Sequence, residues 1–130
     1  MNSCHILVIE DNPTLCDMVR RRLNRRGYHT TSAGDGNKGL QAAKDQLPHL
    51  ILLDMSLPGM DGWTVATRLR QSEQTRHIPI IALTAHAMQG DRERALEAGC
   101  DEFETKPINF ERLFQKIDHF LTQIDEQQES

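Results

Sequence analysis

The sequence has 130 residues, a formal net charge of −4 and 38% hydrophobic residues. That length fits one compact domain able to bury a core without disulfides or a structural metal, and the mixed charge excludes a disordered chain. The acidic balance argues against general affinity for nucleic acid or an anionic membrane.

The first apolar run is Ile6-Leu7-Val8-Ile9, a strand. Asn12-Pro13 reads as a helix N-cap followed by Pro at the first helical position. Leu15, Met18, Val19 and Leu23 then recur at helical spacing, and Gly27 closes that helix. A polar, Thr-rich strand spans His29 to Ala33. The turn Gly34-Asp35-Gly36 leads to a second helix from Asn37 to Gln46, ended by Pro48. Leu50-Ile51-Leu52-Leu53-Asp54 is a continuous apolar run that stops at a carboxylate. Pro58-Gly59 and Asp61-Gly62 mark a long turn before a third helix from Trp63 to Gln71. Ile80 to Thr84 is the fourth strand, with Pro79 at its start. A fourth helix spans Gly90 to Ala98, and Glu102 to Thr105 is a short polar strand. After Lys106-Pro107, the last helix carries Phe110, Leu113, Phe114, Ile117 and Leu121 on one face. Residues 1–124 are expected to form the domain and 125–130 a polar tail.

Five βα units in series argue for an α/β fold, a doubly wound parallel sheet with helices on both faces. Strands covered on both faces are apolar throughout, so the first, third and fourth should be central and the polar second and fifth at the edges. Right-handed crossovers then favour the order 2-1-3-4-5, a flavodoxin-like (βα)5 sheet. Ligands of such sheets bind at the carboxyl ends of the strands, where the winding reverses. Those ends carry Glu10-Asp11, Asp54 and Thr84, and the last βα junction adds Lys106. Each is a weak signal alone; their coincidence on one rim is not. Clustered carboxylates repel unless a cation neutralises them. Mg²⁺ suits oxygen ligands and is held by one or two carboxylates with waters and substrate phosphate. A carboxylate can also attack phosphorus to give an aspartyl-phosphate.

These residues resemble the receiver domains of two-component response regulators. The resemblance runs from His5 to Leu121 and rests on Val8-Ile9-Glu10-Asp11-Asn12, on Leu52 to Gly62 with Asp54-Met55-Ser56-Leu57-Pro58 at its centre, on Leu83-Thr84-Ala85, and on Glu104-Thr105-Lys106-Pro107. It is similar to the chemotaxis-type single-domain regulators, and Thr84 to Pro107 also resembles receivers attached to hybrid kinases. The resemblance implies that Asp54 is the phosphoacceptor, that Asp11, Asp54 and the backbone carbonyl of Ser56 ligate Mg²⁺, and that Glu10 holds a coordinating water. Lys106 would pair with the phosphoryl group, and the bond between Lys106 and Pro107 would be cis. Thr84 and Phe103 would form the switch pair that alters the face made by the fourth helix, fifth strand and fifth helix. Ser56 and His86 would tune phosphoryl lifetime. The implied donor is a histidine kinase or histidine phosphotransfer protein, with an unnamed protein target and a phosphorylation-dependent dimer as further associations.

Other features have competing readings. Arg20, Arg21, Arg22, Arg25 and Arg26 on the first helix read as a solvated face, as a docking surface for the kinase or phosphotransfer partner, or as a nucleic-acid patch. The acidic total and the lack of interleaved aromatics oppose the last. Cys4, Cys16 and Cys100 are odd in number with no C-x-x-C pair, which indicates neither a disulfide framework nor a zinc site. Buried thiols of a reducing, cytoplasmic compartment are expected. No signal peptide or membrane-length apolar run occurs. An aspartyl-nucleophile phosphatase of the haloacid-dehalogenase kind would need a second Asp at the position held by Ser56. A flavodoxin-like FMN carrier would need a Ser/Thr/Gly-rich loop where Glu10-Asp11 stand. The expected activity is therefore self-phosphorylation and self-dephosphorylation, with no separate substrate turned over.

Overall fold

The computed structural model describes residues 4–85 and 90–129, with side chains described through residue 122. Its elements alternate strictly: β1 (His5–Ile9), α1 (Pro13–Arg25), β2 (His29–Ala33), α2 (Gly36–Gln46), β3 (Leu50–Asp54), α3 (Gly62–Gln71), β4 (Ile80–Thr84), α4 (Asp91–Glu97), β5 (Glu102–Thr105) and α5 (Phe110–Glu129). The five strands are parallel in the order β2-β1-β3-β4-β5, as the polar edges and apolar centre predict.

Alternation along each strand divides the core in two. Leu7, Ile9, Ile51, Leu53, Ile80 and Ala82 pack against Ala43 of α2, Val65, Ala66 and Leu69 of α3, and Ala95 of α4. Ile6, Val8, Leu50, Leu52, Ile81 and Leu83 pack on the other face, against Val19 and Leu23 of α1 and Leu113, Ile117 and Leu121 of α5. The central strands are apolar throughout because both faces are covered. The thiols of Cys4, Cys16 and Cys100 are buried.

Helix starts follow side-chain caps. Asn12 accepts from the Leu15 N–H, Asp35 from Lys38 and Asp61 from Thr64. The two aspartates place α2 and α3 one residue earlier than the apolar periodicity predicts, at Gly36 and Gly62. α4 is shorter than predicted, and its Gly90 N-cap offers no side-chain acceptor. Leu47, at φ 46°, ends α2 one residue ahead of Pro48. α5 continues to Glu129, through most of the segment expected as a polar tail; its Glu and Gln residues are good helix formers.

Candidate functional site

Parallel pairing puts the carboxyl ends of β1, β3, β4 and β5 on one rim. Ile9 registers with Leu53, Asp54 with Leu83, and Thr84 with Thr105. Backbone bonds continue past the strand ends: Glu10 N–H donates to Ala33 O at 3.0 Å, Met55 N–H to Leu83 O at 2.9 Å, and Lys106 N–H to Thr84 O at 2.7 Å. The functional side chains therefore project from a rigid edge.

Glu10 and Asp54 are almost fully buried, at 4% and 2% exposure, while Asp11 is exposed at the mouth. Carboxylate oxygens of Glu10, Asp11 and Asp54 lie within 4.8 Å of one another. Lys106 Nζ reaches in from the β5 junction, 3.0 Å from Glu10 Oε1 and 3.2 Å from Asp54 Oδ1. The Lys106-Pro107 peptide bond is cis. Each buried carboxylate also accepts a backbone donor: Asn12 N–H to Glu10 Oε2 at 3.2 Å, and Ser56 N–H to Asp54 Oδ1 at 3.1 Å. Thr84 is buried at the end of β4 beside this cluster. The half-buried Phe103 packs against the α2–α3–α4 side of the core. His86 lies outside the described residues.

The electrostatics express a shortage of positive charge. Burial, and then the hydrogen bond with Asp54, push the Glu10 carboxyl up to about 7, against the opposing pull of Lys106. Burial alone would lower Lys106, but its bond to Glu10 and the charge of Asp54 outweigh that and raise it. One ammonium does not compensate this many carboxylates. A hard divalent cation fits the donor set, because the ligands are all oxygen and the charge is in excess.

A family model described as the response regulator receiver domain matches residues 6–118. The chain belongs to that family. This receiver is 38% identical to the DNA-binding dual master transcriptional regulator RpaA of Synechocystis, over 92% of its own length and 50% of that protein's. It is 37% identical to the polar-differentiation response regulator DivK of Brucella ovis, over 89% of its length and 94% of that chain's. The receiver thus spans about half of one curated relative and nearly all of the other. Among solved structures, the receiver domain of the sensor histidine kinase PA1611 from Pseudomonas aeruginosa superposes with a TM-score of 0.85 at 36% identity, over 93% of this chain and 99% of that one. That structure has a magnesium ion coordinated in its active-site cleft.

The arginines of α1 do not form one surface. Arg20 turns to the sheet edge, where it donates to Thr30 and Ser32. Arg22 and Arg26 stack over Phe110 and Phe114 of α5, each 4.5 Å from the ring centre, and Arg26 also pairs with Asp118. Arg21 bonds Asp17 at 3.0 Å on the exposed face. Arg21, Arg22 and Arg25 line a shallow cavity of about 230 Å³ with Thr14, Asp17 and Met18.

Sequence reasoning missed a second ionic site. Glu104 is buried at 2% exposure and accepts from Arg112 Nε and Lys116 Nζ, both at 2.8 Å. Lys116 also donates to the Phe103 carbonyl at 2.6 Å. The signal was present: Glu102 and Glu104 alternate on a strand, and Arg112 and Lys116 stand four apart on a helix.

Proposed function

We propose that this receiver accepts a phosphoryl group on Asp54 from a phosphohistidine donor, a histidine kinase or phosphotransfer protein, in a Mg²⁺-dependent step, and changes its α4–β5–α5 face in response. The supporting observation is the convergence of Glu10, Asp11, Asp54 and Lys106 on one pocket, with Lys106 Nζ bridging the two buried carboxylates. Asp11, Asp54 and the Ser56 carbonyl would hold the ion, with Glu10 acting through a water. Bound there, Mg²⁺ supplies positive charge to the oxygens of the transferring group.

This chain's own residues do the rest. An Asp54 carboxylate oxygen attacks phosphorus, the P–N bond of the donor breaks, and the departing imidazole takes up a proton. Lys106 is placed to move from the Glu10–Asp54 pair onto the new phosphoryl oxygens, where its ammonium balances charge. The Thr84 hydroxyl donates to a phosphoryl oxygen, and Phe103 shifts toward the space it leaves. Phe103 is suited to both positions, because a ring without a hydroxyl loses little on full burial. The same pocket admits water for self-dephosphorylation, with Ser56 and His86 setting its access. Donor docking uses the outer face of α1, where Arg21 and Arg25 are exposed. The three buried thiols suit a reducing compartment, the cytoplasm.

A transfer assay tests the reading. With Mg²⁺ and a labelled phosphohistidine protein as donor, label should pass to the parent chain and not to Asp54→Asn. Equal labelling of the two would overturn it.

A further inference from the structure

The pole opposite the acidic rim carries a cluster of another chemistry. His5 opens β1 and His29 opens β2, and the two are register partners on neighbouring parallel strands. Their rings lie 4.9 Å apart, centre to centre, at 47°. Two imidazoles sharing a tetrahedral ion at about 2.0–2.1 Å from each nitrogen have ring centres about 5 Å apart. The rings already stand at that spacing.

The surroundings prepare His5 as a ligand. Its Nε2 lies 2.7 Å from Thr31 Oγ1. Thr31 in turn donates its hydroxyl proton to Gln46 Oε1 at 2.7 Å. The Thr31 oxygen is therefore the acceptor toward His5, which puts the imidazole proton on Nε2 and leaves the lone pair on Nδ1. A ring N–H held by an outer hydrogen bond is the arrangement that fixes tautomer and orientation in histidine ligands. His49 holds the backbone beneath: its Nδ1 accepts the His5 N–H at 2.9 Å. His29 is exposed on the edge strand, open to water that would complete the coordination.

We propose that His5 and His29 form a site for a borderline divalent cation of the Zn²⁺ or Ni²⁺ class, separate from the acidic rim. Imidazole donors favour that class, whereas Mg²⁺ seeks the oxygen ligands at the other end of the sheet. The site has two protein ligands, and the acidic rim is the three-residue ligand cluster among the described residues. An ion held there ties edge strand β2 to β1 and stabilises the folded chain by mass action.

The test uses the full chain without an affinity tag, with excess Mg²⁺ to occupy the acidic rim, and titrates Ni²⁺ while following histidine ring signals by NMR. One ion should bind, broadening His5 and His29 first and sparing His77 and His119. His29→Gln should abolish this binding, and Thr31→Val should weaken it by about tenfold. Broadening centred on His77, His119 or the acidic rim would overturn the proposal. So would unchanged affinity in His29→Gln, or no binding by the parent.

Discussion

Gly62 sits so close to the strand end that a side chain does not fit. A Cβ there would lie 2.5 Å from Met55 Cα and 2.7 Å from the Asp54 carbonyl oxygen. Both obstacles are backbone and cannot swing aside. Gly62→Ala should therefore cost roughly 1–3 kcal/mol, read as a lower urea midpoint; an unchanged midpoint would mean that the loop after Asp54 is looser than it stands here. His5 gives a second residue-scale expectation. Its imidazole is held below 6.5 by burial and by the nearby His29 and His49, so as pH falls the unfolded chain binds this proton before the folded one does. The stability carried by the neutral ring is complete above about pH 6.5 and is lost as pH falls below it toward the lower folded value. His5→Gln should flatten that part of the profile of urea midpoint against pH. Parallel profiles for parent and variant would contradict the assignment.

Among the elements, α4 is the least secured. It is seven residues long, starts without a side-chain cap and buries Ala95 alone. Midway along it, Arg94 stacks 4.3 Å from the centre of the Trp63 ring. Beyond its C-terminus, Arg70 donates to the carbonyls of Gly99, Arg76 and Ile78 at 2.7–2.8 Å and pairs with Asp101. Asp101 also accepts the Ile80 N–H at 2.8 Å, so one arginine joins the ends of α3 and α4 to the start of β4. Arg70→Ala should cost about 1.5–3 kcal/mol, the range for hydrogen bonds to a charged group. Faster amide exchange across 98–101 should accompany the loss, and protection equal to the parent would refute the staple. None of this was legible from the sequence, because Arg70 lies on a helix face whose periodicity says only that it is polar. The strands were legible because their burial follows from composition: Leu50–Leu53 and Ile80–Leu83 are apolar without interruption, while His29–Ala33 and Glu102–Thr105 are polar. The acidic rim was legible because its residues end strands. Glu104 was legible only in part: the alternation of Glu102 and Glu104 and the four-residue spacing of Arg112 and Lys116 stand in the sequence, but nothing in it says that α5 lays those two cations over the edge strand.

At the scale of the molecule, parallel topology sends the two ends of the sheet to different chemistry. The amino ends of β1 and β2 gather imidazoles and the carboxyl ends gather carboxylates. Glu10, raised to about 7 by its burial, and Lys106, shared between two acids, belong to a pocket with more negative charge than one ammonium offsets. No helix among the described residues is long and apolar enough to cross a membrane. The central claim is that Asp54 takes a phosphoryl group only when a divalent ion completes this pocket. Intact-mass analysis after incubation with acetyl phosphate tests it most directly, run with Mg²⁺, with EDTA, and with Asp54→Asn. The account predicts a gain of one phosphoryl mass in the parent with Mg²⁺ and none in the other two arms. The same gain in Asp54→Asn, or an undiminished gain in EDTA, would contradict it.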